Sequence, residues 1–142
     1  MFYAVNYPQD VKGVAAVSTG VSGKLFLETI APECLEEYER TGWVVTESEK
    51  LPGLFKKLRW AQFKTDLQQY DLLEHAQVLK MPVVLVVGED DTGTPPAHHK
   101  LLFEQLTGPK ELHVLPGISH TIKQKWQLDE IKKVVGDWNA KL

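Results

Sequence analysis

With one cysteine, Cys34, the chain cannot form an internal disulfide or a cysteine-rich metal site, and a reducing interior is the simplest setting for it. No apolar run approaches the roughly 20 residues of a membrane span, and no charged N-terminal segment leads into an apolar signal core. A cytoplasmic chain with no membrane partner is expected. Cations are not in excess: Lys and Arg number 16 against 19 Asp and Glu, they are scattered, and the net charge is -3. That leaves no broad basic footprint, so no nucleic-acid partner is expected. Repeats and low-complexity stretches are also lacking. What is present is an ordinary folded composition, 142 residues that are 43% hydrophobic and 25% charged, enough for one domain with a core.

Met1-Phe-Tyr-Ala-Val-Asn-Tyr reads as the last turns of a helix, stopped ahead of Pro8 because proline disfavours helical geometry in the residue before it. Residues 11–18 form a short apolar run with small side chains and no alternation, the pattern of a strand covered on both faces. Gly20 and Gly23 then break it. From 25 to 79 the pattern is mainly helical. Pro32 suits a first helical position, Glu33, Glu36 and Glu37 an N-terminal turn, and Gly42 a C-terminal stop. Trp43-Val-Val-Thr reads as a short extended piece. Residues 54–70 read as a helix with Leu54, Phe55, Leu58, Phe63 and Leu67 on one face, and Asp71 as the N-cap of a helix over 72–79.

The last third is clearer. Residues 83–87 are a continuous apolar strand, 96–106 a helix ended near Gly108, 111–115 an alternating strand, and 127–142 a helix with Leu128, Ile131, Val134, Val135 and Trp138 inward. Strand, helix, strand, helix implies a parallel α/β sheet.

In open parallel sheets, reactive groups gather beyond the carboxyl ends of the strands. One such end carries Glu89, Asp90 and Asp91; the next carries Pro116-Gly-Ile-Ser-His120. A carboxylate and a histidine on neighbouring strand ends can hydrogen-bond, the acid fixing the tautomer and stabilising the imidazolium formed when histidine takes a proton. Those are two parts of a nucleophilic triad.

The stretch Pro82-Val-Val-Leu-Val-Val-Gly-Glu-Asp-Asp-Thr-Gly-Thr-Pro-Pro, followed by Gly108-Pro-Lys-Glu-Leu-His-Val-Leu-Pro-Gly-Ile-Ser-His120, resembles the acid-bearing and histidine-bearing loops of the α/β-hydrolase fold, in the family's order. Gln69-Tyr-Asp-Leu-Leu-Glu-His-Ala is similar to the segment leading from the cap into the acid strand, and Tyr7-Pro-Gln-Asp-Val-Lys-Gly-Val-Ala-Ala-Val-Ser to the strand after the helix behind the nucleophile. The resemblance implies an α/β fold of three layers, a partial α/β-hydrolase with a mainly parallel sheet of about three strands. Within a single domain over 1–142 it implies a cap-like helical segment near 20–70 and an acid- and histidine-bearing core at 71–142. It makes His120 the base and, by the family's spacing from Gly88, Asp91 the acid, with Asp90 the alternative and Glu89 a loop neighbour.

Serine members of this family carry Gly-x-Ser-x-Gly on a tight strand-to-helix turn. Here the nearest approach, Gly20-Val-Ser-Gly-Lys24, has lysine in place of the second glycine and follows the wrong strand, so Ser22 reads as a loop serine. The resemblance is to a hydrolase that starts just after its nucleophile, and little triad chemistry is expected from residues 1–142 alone. It also implies an uncovered apolar edge at 11–18. The expected covers are a second copy of the chain in a homo-oligomer, a complementing N-terminal hydrolase half, or a rearranged N-terminal segment. A small apolar ester is the implied substrate, and triad hydrolysis calls for no cofactor and no metal. The other reading is a non-catalytic, oligomeric or ligand-binding module derived from a hydrolase. A third has a local nucleophile, Ser22, Ser119 or Cys34.

The remaining candidates read more blandly. Adjacent His98 and His99 point in different directions on one helix and are read as surface residues. His75 has no motif, His113 alternates with Leu112 and Val114 on a polar strand face, and Cys34 is read as a small buried hydrophobe. Phe55, Trp60, Phe63 and Tyr70 are read as helix packing, with an acyl pocket as the alternative.

Overall fold

The run Val83–Gly88 offers no polar side chain to water on either face, so it needs cover on both sides as well as strand partners on both edges. The computed structural model, which describes residues 1–48 and 51–142, gives it both. In chain order the elements are α1 (Phe2–Asn6), β1 (Val14–Val17), α2 (Gly23–Glu28), α3 (Pro32–Thr41), β2 (Trp43–Glu47), β3 (Phe55–Arg59), α4 (Trp60–Gln69), β4 (Val83–Gly88), α5 (Pro96–Gln105), β5 (Lys110–Leu115) and α6 (Lys125–Asn139). They fall into two units, one of Met1–Ser22 with Asp71–Leu142 and one of Gly23–Tyr70.

The first unit is built on a parallel sheet in the order β1-β4-β5, with Val14 opposite Val83 and Val83 opposite Lys110 at the start of the register. Val84 and Val86 pack against Ile131 and Trp138 of α6. Val83, Leu85 and Val87, which point the other way, are equally buried, and α5 lies against both β4 and β5. Two helical layers therefore sandwich the sheet, the three-layer α/β arrangement expected. Fully burying each such side chain contributes about 1.5–3 kcal/mol, which makes β4 the spine of this unit.

Three expectations in this unit are corrected. The strand expected at 11–18 is only Val14–Val17, and it lies at a sheet edge with Ala16 buried and Val17 38% exposed. No strand among the described residues pairs with its outer side, which is the open edge expected, but Ala15 and Val17 are exposed, so the strand is not covered on both faces as its composition suggested. Asp71 does cap, its Oδ1 accepting the Leu73 amide at 2.9 Å, but the chain runs on through turns and a 3-10 turn at Ala76–Val78, not a helix. On α6, Leu128 faces solvent and Gln127 is buried. The Gln127 amide accepts the backbone N–H of Lys123 and Gln124 and donates to the Gly117 carbonyl, so satisfying the helix start outweighs burying a leucine there.

In the second unit, α3 starts at Pro32 and ends at Gly42 in the left-handed region, φ 75°, as its punctuation predicts. The helix expected from residue 54 is wrong over its first turns: Phe55–Arg59 is a strand, paired antiparallel with β2 from Trp43 opposite Arg59 to Glu47 opposite Phe55. Leu54, Phe55 and Leu58 fit a helical face by spacing, but pairing with a distant segment satisfies the backbone just as well and overrides a local signal this short. Helix α4 begins at Trp60, which packs against Tyr38 and Phe63, while Phe63 meets Phe26 edge-on. These contacts are ordinary packing. Phe55 is 56% exposed.

Candidate active site

The ends of β4 and β5 are tied together before any side chain is considered. The Glu89 amide donates to the Leu115 carbonyl at 2.9 Å and the Asp90 amide to the Ile118 carbonyl at 3.1 Å. Gly88 makes this approach possible, because a Cβ there would stand 1.9 Å from the Ile118 oxygen. The acid loop and the histidine loop are thereby held side by side.

From that frame Asp91 turns inward and Asp90 outward. Asp91 is 2% exposed, whereas Asp90 is exposed. Nδ1 of His120 lies 3.1 Å from both carboxylate oxygens of Asp91. An ionised carboxylate can only accept, so Nδ1 carries the proton and Nε2 of the neutral ring has a free lone pair. The histidine side chain is 52% exposed, so a reactant can reach it. Gly93 lies beside the pair: a Cβ there would come within 3.3 Å of the imidazole.

Two residues that sequence reasoning missed complete the carboxylate's surroundings. Thr94 donates its amide to Oδ1 at 2.7 Å and its hydroxyl to Oδ2 at 2.9 Å, and the same hydroxyl lies 3.4 Å from Nδ1 of His120. The Ser18 hydroxyl also supports Asp91. Burial pushes the Asp91 carboxyl up, but the bonds from Thr94, Ser18 and His120 together outweigh it and hold the carboxyl below its usual range. The Asp-x-x-Thr spacing was a usable signal for Thr94, since short polar side chains close turns of this kind. Ser18 had none, because its place depends on β1 lying beside β4. Its φ of 43° is a left-handed conformation that costs a non-glycine residue about 1–2 kcal/mol and is typical of positions held for function.

His99 is the clearest correction. It is fully buried, not a surface residue, with Nδ1 3.2 Å from the Pro95 carbonyl and Nε2 without a partner among the described residues. Burial holds its pKa below the usual value, only partly offset by the Pro95 carbonyl and the Asp91 charge. His98 is half-buried, His75 meets Phe2 edge-on, and His113 pairs with Glu111 at 3.0 Å on β5.

The four serines of the chain all have other partners. Ser22 is not a loop serine left to solvent: it is buried and donates to Asp71 at 2.9 Å. Ser48 accepts the Leu51 amide, Ser119 donates to the Thr121 carbonyl, and Ser18 serves Asp91. No described hydrogen bond joins a serine to His120. A hollow of about 360 Å³ lies at the amino ends of β4 and β5, between Pro82, Pro109, Glu111 and Trp138, at the opposite end of the sheet from Asp91. Its two lysines are already engaged, Lys110 by the Phe103 and Leu106 carbonyls and Lys141 by Glu111.

Residues 41–141 match the family model described as PhoPQ-activated pathogenicity-related protein. The chain belongs to that family. Among solved structures it is similar to alpha/beta hydrolase domain-containing protein 10 from mouse, with a TM-score of 0.73 and 18% identity over 99% of this chain and 56% of that one. It is also similar to the esterase domain of a Rhodothermus marinus protein, with a TM-score of 0.65 and 16% identity over 95% of this chain and 55% of that one. A third is the monoacylglycerol lipase of Paleococcus ferrophilus, with a TM-score of 0.64 and 20% identity over 96% and 62%. At these identities the likeness establishes the fold, a partial α/β-hydrolase fold. The chain spans less than two thirds of each of these relatives. No curated protein matches it. No helix among the described residues is long and apolar enough to cross a membrane.

Proposed function

We propose that this family member supplies the acid and base of a serine-hydrolase site, with Asp91 orienting His120 and a nucleophilic serine coming from polypeptide outside residues 1–142. The observation that carries the reading is the contact of Nδ1 of His120 with both oxygens of buried Asp91, which leaves Nε2 of a half-exposed ring as the free base. In this reading Nε2 takes the serine proton as the serine attacks an ester carbonyl. It then returns that proton to the leaving alcohol, while Asp91 stays ionised and stabilises the imidazolium. The hydrogen bonds that hold the Asp91 carboxyl below its usual range favour the ionised form this role requires. Occupation of every serine elsewhere supports an external nucleophile, from the same polypeptide or from a second one pairing along the edge of β1 that no strand among the described residues takes up. A small apolar ester is the proposed substrate class.

The test is hydrolysis of a short-chain p-nitrophenyl ester, and labelling by a fluorophosphonate, with the intact natural polypeptide that contains these residues. His120→Ala and Asp91→Asn should each abolish both signals. Unchanged turnover in both variants would sink the proposal, as would a serine adduct on residues 1–142 alone.

A further inference from the structure

The second unit has a surface that its own packing does not use. In the β2/β3 hairpin, cross-strand partners alternate between two faces. Val44 lies on one face and is buried at 7%. Trp43, Val45 and Phe55 lie on the other, 41%, 45% and 56% exposed, in the same register set as Lys57 and Arg59. Toward the turn, Leu51 and Leu54 are 59% and 51% exposed. A two-stranded ribbon is marginal in water by itself, and one that also displays a row of large apolar side chains calls for a partner.

We propose that this hairpin docks the protein on an anionic lipid surface. The local charge fits. Residues 43–59 carry Lys50, Lys56, Lys57 and Arg59 against Glu47 and Glu49, a net +2 within a chain of net charge -3. Glu47 is also committed, its carboxylate accepting the Gly53 amide at 2.7 Å inside the turn. The order of side chains along the ribbon fits as well. Leu54 and Phe55 stand toward the turn, and Lys57 and Arg59 follow two and four residues behind Phe55. At about 3.4 Å per residue the cations sit roughly 7 and 14 Å back, which lets apolar side chains enter the acyl boundary while the cations stay among phosphates. Trp43, with Arg59 5.9 Å from its ring centroid, is the kind of amphipathic side chain that belongs at that level. The expectation of no membrane partner rested on the lack of a spanning segment, and peripheral docking needs none. The inference rests on the second unit alone and stands independently of the hydrolase reading.

The test is co-sedimentation of the chain with vesicles of phosphatidylcholine, with and without phosphatidylglycerol, alongside tryptophan fluorescence. Binding to the mixed vesicles only, with a blue shift that Trp43→Phe removes, is the expected result. Lys57→Gln with Arg59→Gln should weaken binding by about fivefold per cation, about 25-fold together, and about 1 M salt should abolish it. Leu54→Ser with Phe55→Ser should reduce binding to the level of the lipid-free control while leaving the urea midpoint unchanged, since both side chains are exposed. Absence of binding to the mixed vesicles, or equal binding by wild type and both double variants, would overturn the proposal. So would a lipid-free dimer that the Leu54→Ser, Phe55→Ser variant dissociates, because the face would then belong to a second copy.

Discussion

Replacing Asp91 separates its structural from its chemical role. Asp91→Ala strips acceptors from the Thr94 amide at 2.7 Å and the Thr94 hydroxyl at 2.9 Å, at a place where Asp91 is 2% and Thr94 9% exposed. Hydrogen bonds to a charged acceptor contribute about 1.5–3 kcal/mol each, and a buried donor left without a partner loses about as much. The contributions do not simply add, and His120, half-exposed, regains water. The expected loss at pH 7 is about 2–4 kcal/mol, which at an m-value near 2 kcal/mol/M lowers the urea midpoint by about 1–2 M. Asp91 is held below the ordinary carboxyl value of 3.8, so its contribution is complete above that pH and is lost as pH falls through the folded pKa. The gap between wild type and Asp91→Ala should therefore narrow in acid. Asp91→Asn keeps an acceptor for the Thr94 amide and should cost less stability, yet it presents N–H to His120, moves the ring proton to Nε2 and removes the base. Urea titrations at neutral and acidic pH, followed by tryptophan fluorescence, measure the first effect. A neutral-pH loss below about 0.5 kcal/mol for Asp91→Ala, the scale of an ordinary surface change, would refute this account of the site.

Two further perturbations test the frame around the pair. Gly88→Ala puts a methyl 1.9 Å from the Ile118 carbonyl oxygen and must displace the histidine loop. Overpacking of this kind costs about 1–3 kcal/mol, and loss of the Asp90-to-Ile118 hydrogen bond should appear as faster exchange of the Asp90 amide; unchanged exchange would show that the loop absorbs the methyl. For His99, burial holds the folded pKa below the ordinary imidazole value of 6.5, so the unfolded chain binds the proton more readily and stability falls as pH drops below that value toward the folded pKa. His99→Leu should flatten that part of the pH-stability curve in thermal melts, and a curve parallel to wild type would mean that His99 titrates freely.

How far each feature could be read from the residues tracks the range of the interactions that decide it. The strand at Val83–Gly88, the flanking α5 and α6, and the order acid loop then histidine loop were legible because a six-residue apolar run and two helical patterns each carry their own signal. So were the Pro32 start and Gly42 stop of α3, which rest on single-residue backbone preferences. The strand at Phe55–Arg59 was not, since five residues suit either period and only pairing with Trp43–Glu47 settles the matter. Burial of His99, the inward turn of Gln127 and the service of Ser18 to Asp91 were likewise decided in three dimensions, by neighbours distant in the chain or by polar groups that had to be satisfied. The resemblance to the α/β-hydrolase acid loop favoured Asp91 over Asp90, but the tertiary structure is what brings it against His120. The glycine that lets two loops touch, and the Thr94 that holds the carboxylate, act through distances of a few ångströms that no one-dimensional pattern contains.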